Sequence, residues 1–393
     1  MNQNTEKIEQ IPFALPSIGQ EEEDAVVKVL RSKWLTTGKV TEQFEKEFSL
    51  RTGAGYSVSV NSATAGLHLV LDALDMERGT YVITTPYTFT ATAEVIRYLN
   101  LHPLFIDIAE EDYNIDPVLI DEAVRKSGKK VSSILPVHIA GHLCRMDEIM
   151  DISRKYDIPV IEDAAHAFPV CENGKYAGTY GEAGVFSFYA TKTITTGEGG
   201  MVVTSSDRIA QHMKKMRLHG IDKVSWDRNK SNDNNWYYEV KTPGFKYNLT
   251  DMASAIGIEQ LKKADAFNAR RAEIASKYNK AFSGYDFITL PPSSSSHCWH
   301  LYIIRLNEKK LKISRDEFIK KLLNKGINTS VHFIPLHLMP YYKNAYGLKP
   351  DDYPRSMAKY LSSVSLPIYP GLEDYQVERI ISNVIQIGTG NYC

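Results

Sequence analysis

The chain has 393 residues, 43% hydrophobic and 24% charged, a globular balance that excludes a disordered or collagen-like chain; four cysteines are too few for a disulfide-held scaffold. Lys and Arg number 46 against 47 Asp and Glu, so the formal net charge is −1 and the basic excess of a nucleic-acid binder is missing. At about 100–200 residues per domain, this length calls for two or three domains, or one large α/β domain with a smaller one attached.

The first ten residues, MNQNTEKIEQ, are polar and lack the apolar core of a secretion signal. No apolar run approaches the ~18 residues of a membrane span. Cys144, Cys171, Cys298 and Cys393 fall at no paired spacing. The expectation is a cytoplasmic protein with reduced thiols and no membrane association. Ser17 and Gln20 have capping-box character and predict a helix over about Gln20–Arg31, with Val26, Val27 and Leu30 on one face. Beyond Gly55, short β-branched runs alternate with amphipathic stretches. The runs are Tyr56–Val60, Tyr81–Thr85, Leu104–Asp107, Ser133–His138, Val160–Asp163, Val185–Phe188 and Met201–Thr204; the helical stretches include Ala65–Leu74 and Met146–Tyr156. Such alternation predicts an α/β domain with a mostly parallel sheet.

Between the last two runs, residues 189–200 are rich in Thr and Gly and read as a functional loop rather than a helix. The stretch NKSNDNN (229–235) reads as a polar excursion. A long helix is predicted over about Thr250–Lys280, and PPSSSS (291–296) reads as a linker or surface loop. His297–Cys393, with a strand at Leu301–Arg305 and a helix at Arg315–Lys325, reads as a smaller α+β domain packed with the N-terminal segment. The expected division is 1–264 and 265–393.

Ligands of open α/β sheets collect at the carboxyl ends of the strands. Three of those ends carry chemistry here. Asn61-Ser62-Ala63-Thr64-Ala65-Gly66 leads from a strand into a helix, and small residues at a helix start let a phosphate reach free N–H groups. Asp163 closes a buried run and is followed by Ala164, Ala165 and His166. Lys192 sits in the Thr- and Gly-rich loop, where desolvation would make it a nucleophile able to form a Schiff base. Singly, each has a plain structural reading as an N-cap or a surface lysine. Together they are the three anchors of pyridoxal 5′-phosphate, with Asp163 keeping the pyridine nitrogen protonated. Phe89, at another strand end, is placed to stack on the ring. HIAGHLC (138–144) has metal-ligand residue types but no second cluster, so no metal is expected.

At this point the sequence resembles the DegT/DnrJ/EryC1/StrS sugar aminotransferases, which have the fold-type I aspartate-aminotransferase architecture. The resemblance rests on WLTTG (34–38), NSATAGLHLVL (61–71), TTPYTFTAT (84–92), PVIEDAAHA (159–167), GVFSFYATKTITTGEGGMVVT (184–204), RLHG (217–220), KYNLTDMASAIGIEQL (246–261) and SVHFIPLH (330–337). It implies that Lys192 forms the Schiff base and moves protons, that Asp163 pairs with the pyridine nitrogen, and that His166 lies near the ring and its 3′-oxygen. Phe89 would cover the opposite face; Ala63, Thr64 and Ser187 would hold the phosphate. Asn248 would reach the phosphate of the neighbouring subunit, since the family builds its sites across a homodimer interface. The Arg that commonly follows that Asn in the family is absent, because Leu249, Thr250 and Asp251 come next.

Trp34, Thr36, Thr37, His332 and Phe333 would lie toward the sugar, with the Trp226–Glu239 stretch closing over the nucleotide. The implied reaction moves an amino group from L-glutamate, released as 2-oxoglutarate, to a keto-sugar on a nucleotide diphosphate, through the pyridoxamine form of the cofactor. The motifs look most like members that aminate C4 of UDP-linked 4-keto sugars. Amination at C3, or of a free keto-cyclitol, stays open, as does a non-catalytic regulator on the same fold.

Overall fold

The computed structural model describes residues 8–221 and 238–393. Helix α1 (Gln20–Ser32) has Gly19 as its N-cap, and the Gly19 N–H donates to Glu22 Oε2 at 2.8 Å. The capping box expected at Ser17 and Gln20 is therefore displaced. Glu22 is drawn inward by Lys263 at 2.7 Å and by a hydrogen bond from Gln260 at 2.8 Å, both on a later helix. With Glu22 and Val29 turned inward, Val27 and Leu30 are exposed, against the expected face.

The next elements in order are α2 (Lys39–Thr52), β1 (Tyr56–Val60), α3 (Ala63–Ala73), β2 (Tyr81–Thr84), α4 (Thr90–Tyr98), β3 (His102–Phe105), α5 (Pro117–Lys126), β4 (Val131–Ile134), α6 (Met146–Tyr156) and β5 (Ile161–Asp163). A short hairpin, β6 (Cys171–Glu172) and β7 (Lys175–Tyr176), precedes β8 (Ala183–Ser187), β9 (Gly200–Thr204) and α7 (Asp207–Met216). Strand β2 pairs in parallel with β3 and β4, and β5 pairs in parallel with β8. Parallel bridges Ile134–Val160 and Val137–Asp163 join the two ladders. Strand β9 runs antiparallel to both β8 and β1. The sheet thus reads β3-β2-β4-β5-β8-β9-β1, mostly parallel as expected. The reversal of β9 follows from its connection: residues 188–199 form a loop, and a parallel return would need a longer crossover.

Helices cover both faces. On one, Phe44 and Phe48 of α2 pack against Phe168, Phe186 and Phe188, with ring centroids 5.0–5.7 Å apart. On the other, α3, α4 and α7 bury Leu67, Val70, Val95, Ile209 and Met213. Complete burial of each such side chain stabilises the fold by about 1.5–3 kcal/mol.

A helix of 32 residues, Asp251–Phe282, then spans the molecule. Its Ala264 and Phe267 belong to the core of the main sheet, while Ile274, Tyr278 and Phe282 belong to a second core. That second core lies on an antiparallel sheet of Ile288–Thr289, Tyr302–Leu306 and Ser363–Leu366, backed by helices Arg315–Asn324 and Asp374–Thr389. Ile11 is part of it, tied by a bridge to Ile327, so the N-terminal segment does pack with the C-terminal unit.

Candidate active site

A cavity of about 500 Å³ opens at the carboxyl ends of β1, β2, β5 and β8. Strand β1 ends at Val60, and Ser62 caps α3, its side chain accepting from Ala65 N–H at 3.1 Å. The first-turn amides of Ala63 and Thr64 have no intrahelical acceptor and line the cavity. Gly200 lets this helix start approach the sheet: a Cβ there would lie 2.8 Å from the Ala63 nitrogen. Ser187, at the end of β8, lines the same wall.

Asp163 ends β5 and is 5% exposed. Its Oδ2 accepts from Thr92 Oγ1 at 2.8 Å and its Oδ1 from Ala165 N–H at 3.2 Å. Burial raises its pKa, and these two hydrogen bonds, with Lys192 nearby, hold the rise back. Lys192 lines the cavity from the β8–β9 loop, and burial lowers its ammonium to about 8, opposed by Asp163. The loop's threonines hold it in shape. Thr195 Oγ1 donates to Phe188 O at 3.0 Å and accepts from Gly197 N–H at 2.9 Å, Thr196 Oγ1 donates to Glu198 O at 2.6 Å, and Lys192 N–H donates to Tyr189 O at 2.9 Å. The Thr/Gly composition therefore answers to backbone groups that no helix satisfies.

Three histidines surround this lysine. His166 stacks on Phe333, with centroids 5.8 Å apart, and its pKa lies well below the usual value because of burial, with Lys192 and His332 adding to the effect. His332 Nδ1 lies 2.9 Å from Ser365 Oγ, and burial, aided by Lys192, takes its pKa down to about 4. His300, 6% exposed, is the third. Phe89 is at the cavity mouth, 60% exposed and 6.5 Å from Phe333.

The structure therefore brings together Ala63, Thr64, Phe89, Asp163, His166, Ser187, Lys192, His332 and Phe333. Four expected residues gather elsewhere, at the start of the long helix. Asn248 Nδ2 donates to Thr37 Oγ1 at 2.7 Å, Thr37 Oγ1 donates to Leu249 O, Trp34 Nε1 donates to Thr37 O at 3.2 Å, and Asp251 N–H donates to Thr36 O at 3.3 Å. None of the four lines this chain's cavity. Most of the Trp226–Glu239 stretch, and all of NKSNDNN, lies outside the described residues.

Sequence reasoning missed Phe13, Thr92 and His300. Thr92 was within reach, one turn beyond Thr88 in a quoted motif. Phe13 arrives because the Ile11–Ile327 bridge carries the N-terminal segment over the cavity, where it stacks on His332 at 5.3 Å. The HIAGHLC residues serve packing. His138 Nε2 meets buried Glu162 at 3.0 Å, and its Nδ1 accepts from Cys144 N–H at 3.1 Å.

What would fill the cavity must match its unsatisfied groups. A buried carboxylate with a raised pKa calls for a cationic nitrogen, a helix start with open amides calls for an anion, and an amine of lowered pKa calls for a carbonyl carbon. Pyridoxal 5′-phosphate carries all three, so the residues fit it. The fold and cavity define the class: a pyridoxal-phosphate aminotransferase of the aspartate-aminotransferase architecture. The chain belongs to the DegT/DnrJ/EryC1/StrS aminotransferase family, whose profile matches residues 16–385.

It is 42% identical over 383 residues to the spore coat polysaccharide biosynthesis protein SpsC of Bacillus subtilis, covering 97% of each chain. Over the same length it is 46% identical to the uncharacterized protein MJ1066 of Methanocaldococcus jannaschii, covering 97% of this chain and 98% of that one. Among solved structures, the PMP-form of the putative sugar aminotransferase Spr1654 of Streptococcus pneumoniae superposes with a TM-score of 0.90 at 30% identity, covering 97% of this chain and 99% of that one. The protein is a PLP-dependent sugar aminotransferase. Among the described residues, no helix is long and apolar enough to cross a membrane.

Proposed function

We propose that the protein transfers an amino group from L-glutamate to C4 of a UDP-linked 4-keto-6-deoxy sugar or 4-keto-pentose, in the cytoplasm, as a homodimer with shared active sites. The observation that carries the reading is Lys192, an amine held to about 8 in the same cavity as buried Asp163 and the open start of α3. When bound, the cofactor supplies a carbonyl carbon that carries the amino group and a ring that accepts the electron pair released at the reacting carbon.

The protein's own groups do the rest. Lys192 Nζ, with its proton loosely held near neutral pH, takes a proton from the donor's reacting carbon and returns one to the acceptor's. Asp163, fixed by Thr92 and Ala165, holds a positive charge on the ring nitrogen. The amides of Ala63 and Thr64, with the Ser187 hydroxyl, bind the phosphate. His166 and Phe89 hold the ring from its two faces. His332 and Phe333 wall the side open to the sugar.

Asn248 and its Thr37 partner, which do not line this chain's cavity, serve the neighbouring subunit's phosphate, and Trp34 and Thr36 its sugar side. The division into 1–264 and 265–393 belongs to the same reading, with the long helix shared between the two domains. The sugar assignment is supported by WLTTG and SVHFIPLH, and by the likeness to a protein of polysaccharide biosynthesis.

The test is the visible absorbance of the purified protein before and after L-glutamate, followed by a panel of UDP-4-keto sugars, nucleotide-linked 3-keto sugars and a free keto-cyclitol. Bleaching by glutamate and return of the band with a UDP-4-keto sugar are expected. Return only with a 3-keto sugar or the cyclitol moves the site of amination. A band indifferent to glutamate removes it as donor.

A further inference from the structure

The C-terminal unit enters the cavity through Ser330, His332 and Phe333. Behind them lies one hydrogen bond that the amino-transfer reading does not use. Ser365 belongs to the strand Ser363–Leu366 and is fully buried. Its backbone is paired with Ser330: Ser365 N–H donates to Ser330 O at 2.8 Å, and Ser330 N–H to Ser365 O at 3.1 Å. That pairing leaves the Ser365 hydroxyl 2.9 Å from His332 Nδ1.

The His332 imidazole is held on its other sides as well. Phe13 stacks on it at 5.3 Å, Phe333 meets it edge-on at 5.1 Å, and Tyr87 Oη donates to the His332 carbonyl at 2.7 Å. Packed rings fix where an imidazole lies. Where its proton sits is decided by hydrogen bonds.

The direction of the Ser365 bond follows from a count of partners. A hydroxyl has one proton to donate, and a buried one needs an acceptor for it. Among the described residues, the Ser365 hydroxyl meets no hydrogen-bond partner except His332 Nδ1. With a proton on Nδ1, the buried Ser365 O–H would have nowhere to donate. Burial, aided by Lys192, keeps the His332 ring neutral, so it has one N–H and one lone pair. If Nδ1 accepts from Ser365, the N–H is on Nε2. That nitrogen has no hydrogen-bond partner among the described residues, on a ring that lines the cavity.

We propose that Ser365 is a positioning residue that fixes His332 as the Nε2–H tautomer, so that His332 offers the sugar a hydrogen-bond donor for one of its oxygens. This inference rests on the function proposed above. It also divides the labour in the cavity. The only lone pair of the neutral His332 ring is engaged by Ser365, so His332 recognises an oxygen and Lys192 alone carries the proton.

The test compares Ser365→Ala and Ser365→Thr with the unaltered protein. One readout is the ring nitrogen shifts of His332 in cofactor-free protein labelled at histidine, the signal being assigned by its loss in His332→Gln. The other is the single-turnover rate of each half-reaction, with L-glutamate and with the keto-sugar. The unaltered protein should show the Nε2–H pattern. Ser365→Ala should turn that pattern into a mixture of tautomers. It should also slow the keto-sugar half-reaction by about tenfold, the worth of one hydrogen bond, with the glutamate half-reaction within about twofold. Ser365→Thr, which keeps the hydroxyl, should keep the parent's ring signal. A proton on Nδ1 in the unaltered protein overturns the proposal without any variant, and decides alone should Ser365→Ala fail to fold. An unchanged ring signal in Ser365→Ala, or an equal loss in both half-reactions, also overturns it, because the hydroxyl would then only fill space. Failure of the unaltered protein to pass an amino group to any keto-sugar is a separate result, against the proposed reaction; the ring signals of the cofactor-free proteins then still decide whether Ser365 sets the tautomer.

Discussion

At the scale of single residues, the proposed chemistry concentrates on Lys192 and Asp163. Lys192→Ala should lose turnover by about a thousandfold or more while still binding the cofactor without a covalent bond; assay and absorbance decide, and wild-type turnover would overturn the mechanism. The same lysine has a thermodynamic signature. Its ammonium is moved from 10.5 to about 8 by burial, so between those values the unfolded chain binds more protons than the folded one. Stability of the cofactor-free protein therefore rises with pH through that window, and below it burial of the charge costs about 3 kcal/mol. Lys192→Met, which has no charge to bury, should melt higher than the parent at pH 7, and the gap should shrink toward pH 10. A gap that does not change with pH would mean that the ammonium is not depressed. Asp163→Asn removes the charge proposed to meet the ring nitrogen while keeping the shape, and should cut kcat by about a hundredfold or more; near-normal kinetics would mean that another group partners the ring.

At the scale of elements, the start of the long helix fastens α2. Asp251, 3% exposed, accepts from the N–H groups of Gly38 and Thr41 at 2.7 and 2.9 Å and from Thr41 Oγ1 at 2.6 Å. Asp251→Ala leaves these first-turn donors of α2 buried and unpaired, and should destabilise the protein by about 2–4 kcal/mol in denaturant titrations. A loss under about 0.5 kcal/mol would mean that water replaces the carboxylate.

The sequence made some of these elements plain and hid others, for physical reasons. Short β-branched runs and the helix-free Thr/Gly stretch revealed the sheet strands, the β8–β9 loop and hence the neighbourhood of Asp163, Ser187 and Lys192. The face of α1 misled, because Glu22 is internal only through partners on a helix far along the chain. His300 and Phe13 were invisible for the same kind of reason. Each reaches the cavity through a long-range contact, Gly141 against Cys298 in one case and Ile11 beside Ile327 in the other. Thr37, expected near the sugar, bonds to Asn248 and Leu249, a pairing that no local pattern announces.

At the scale of the whole molecule, the absence of Asn248 from this chain's cavity lining bears on assembly. If each site is completed by the neighbouring subunit, two crippled proteins can repair one another. Mixing Lys192→Ala with Asn248→Ala subunits should yield hybrid dimers in which one site has both groups intact, with activity above that of either parent. Hybrids no more active than the Asn248→Ala homodimer would show that Asn248 does not serve a neighbour.

The long helix adds a mechanical consequence. Its 32 residues make a rod of roughly 48 Å at the standard rise, gripped by one core near its beginning and by the other toward its end. Over that length, a tilt of about 5° at the far end moves the near end by about 4 Å. The near end is where Thr37, Asn248 and Asp251 meet. A rocking of the C-terminal unit, which also carries His300 and His332, would therefore be transmitted along the rod toward Asn248. The two groups of site residues are thus joined by one helix.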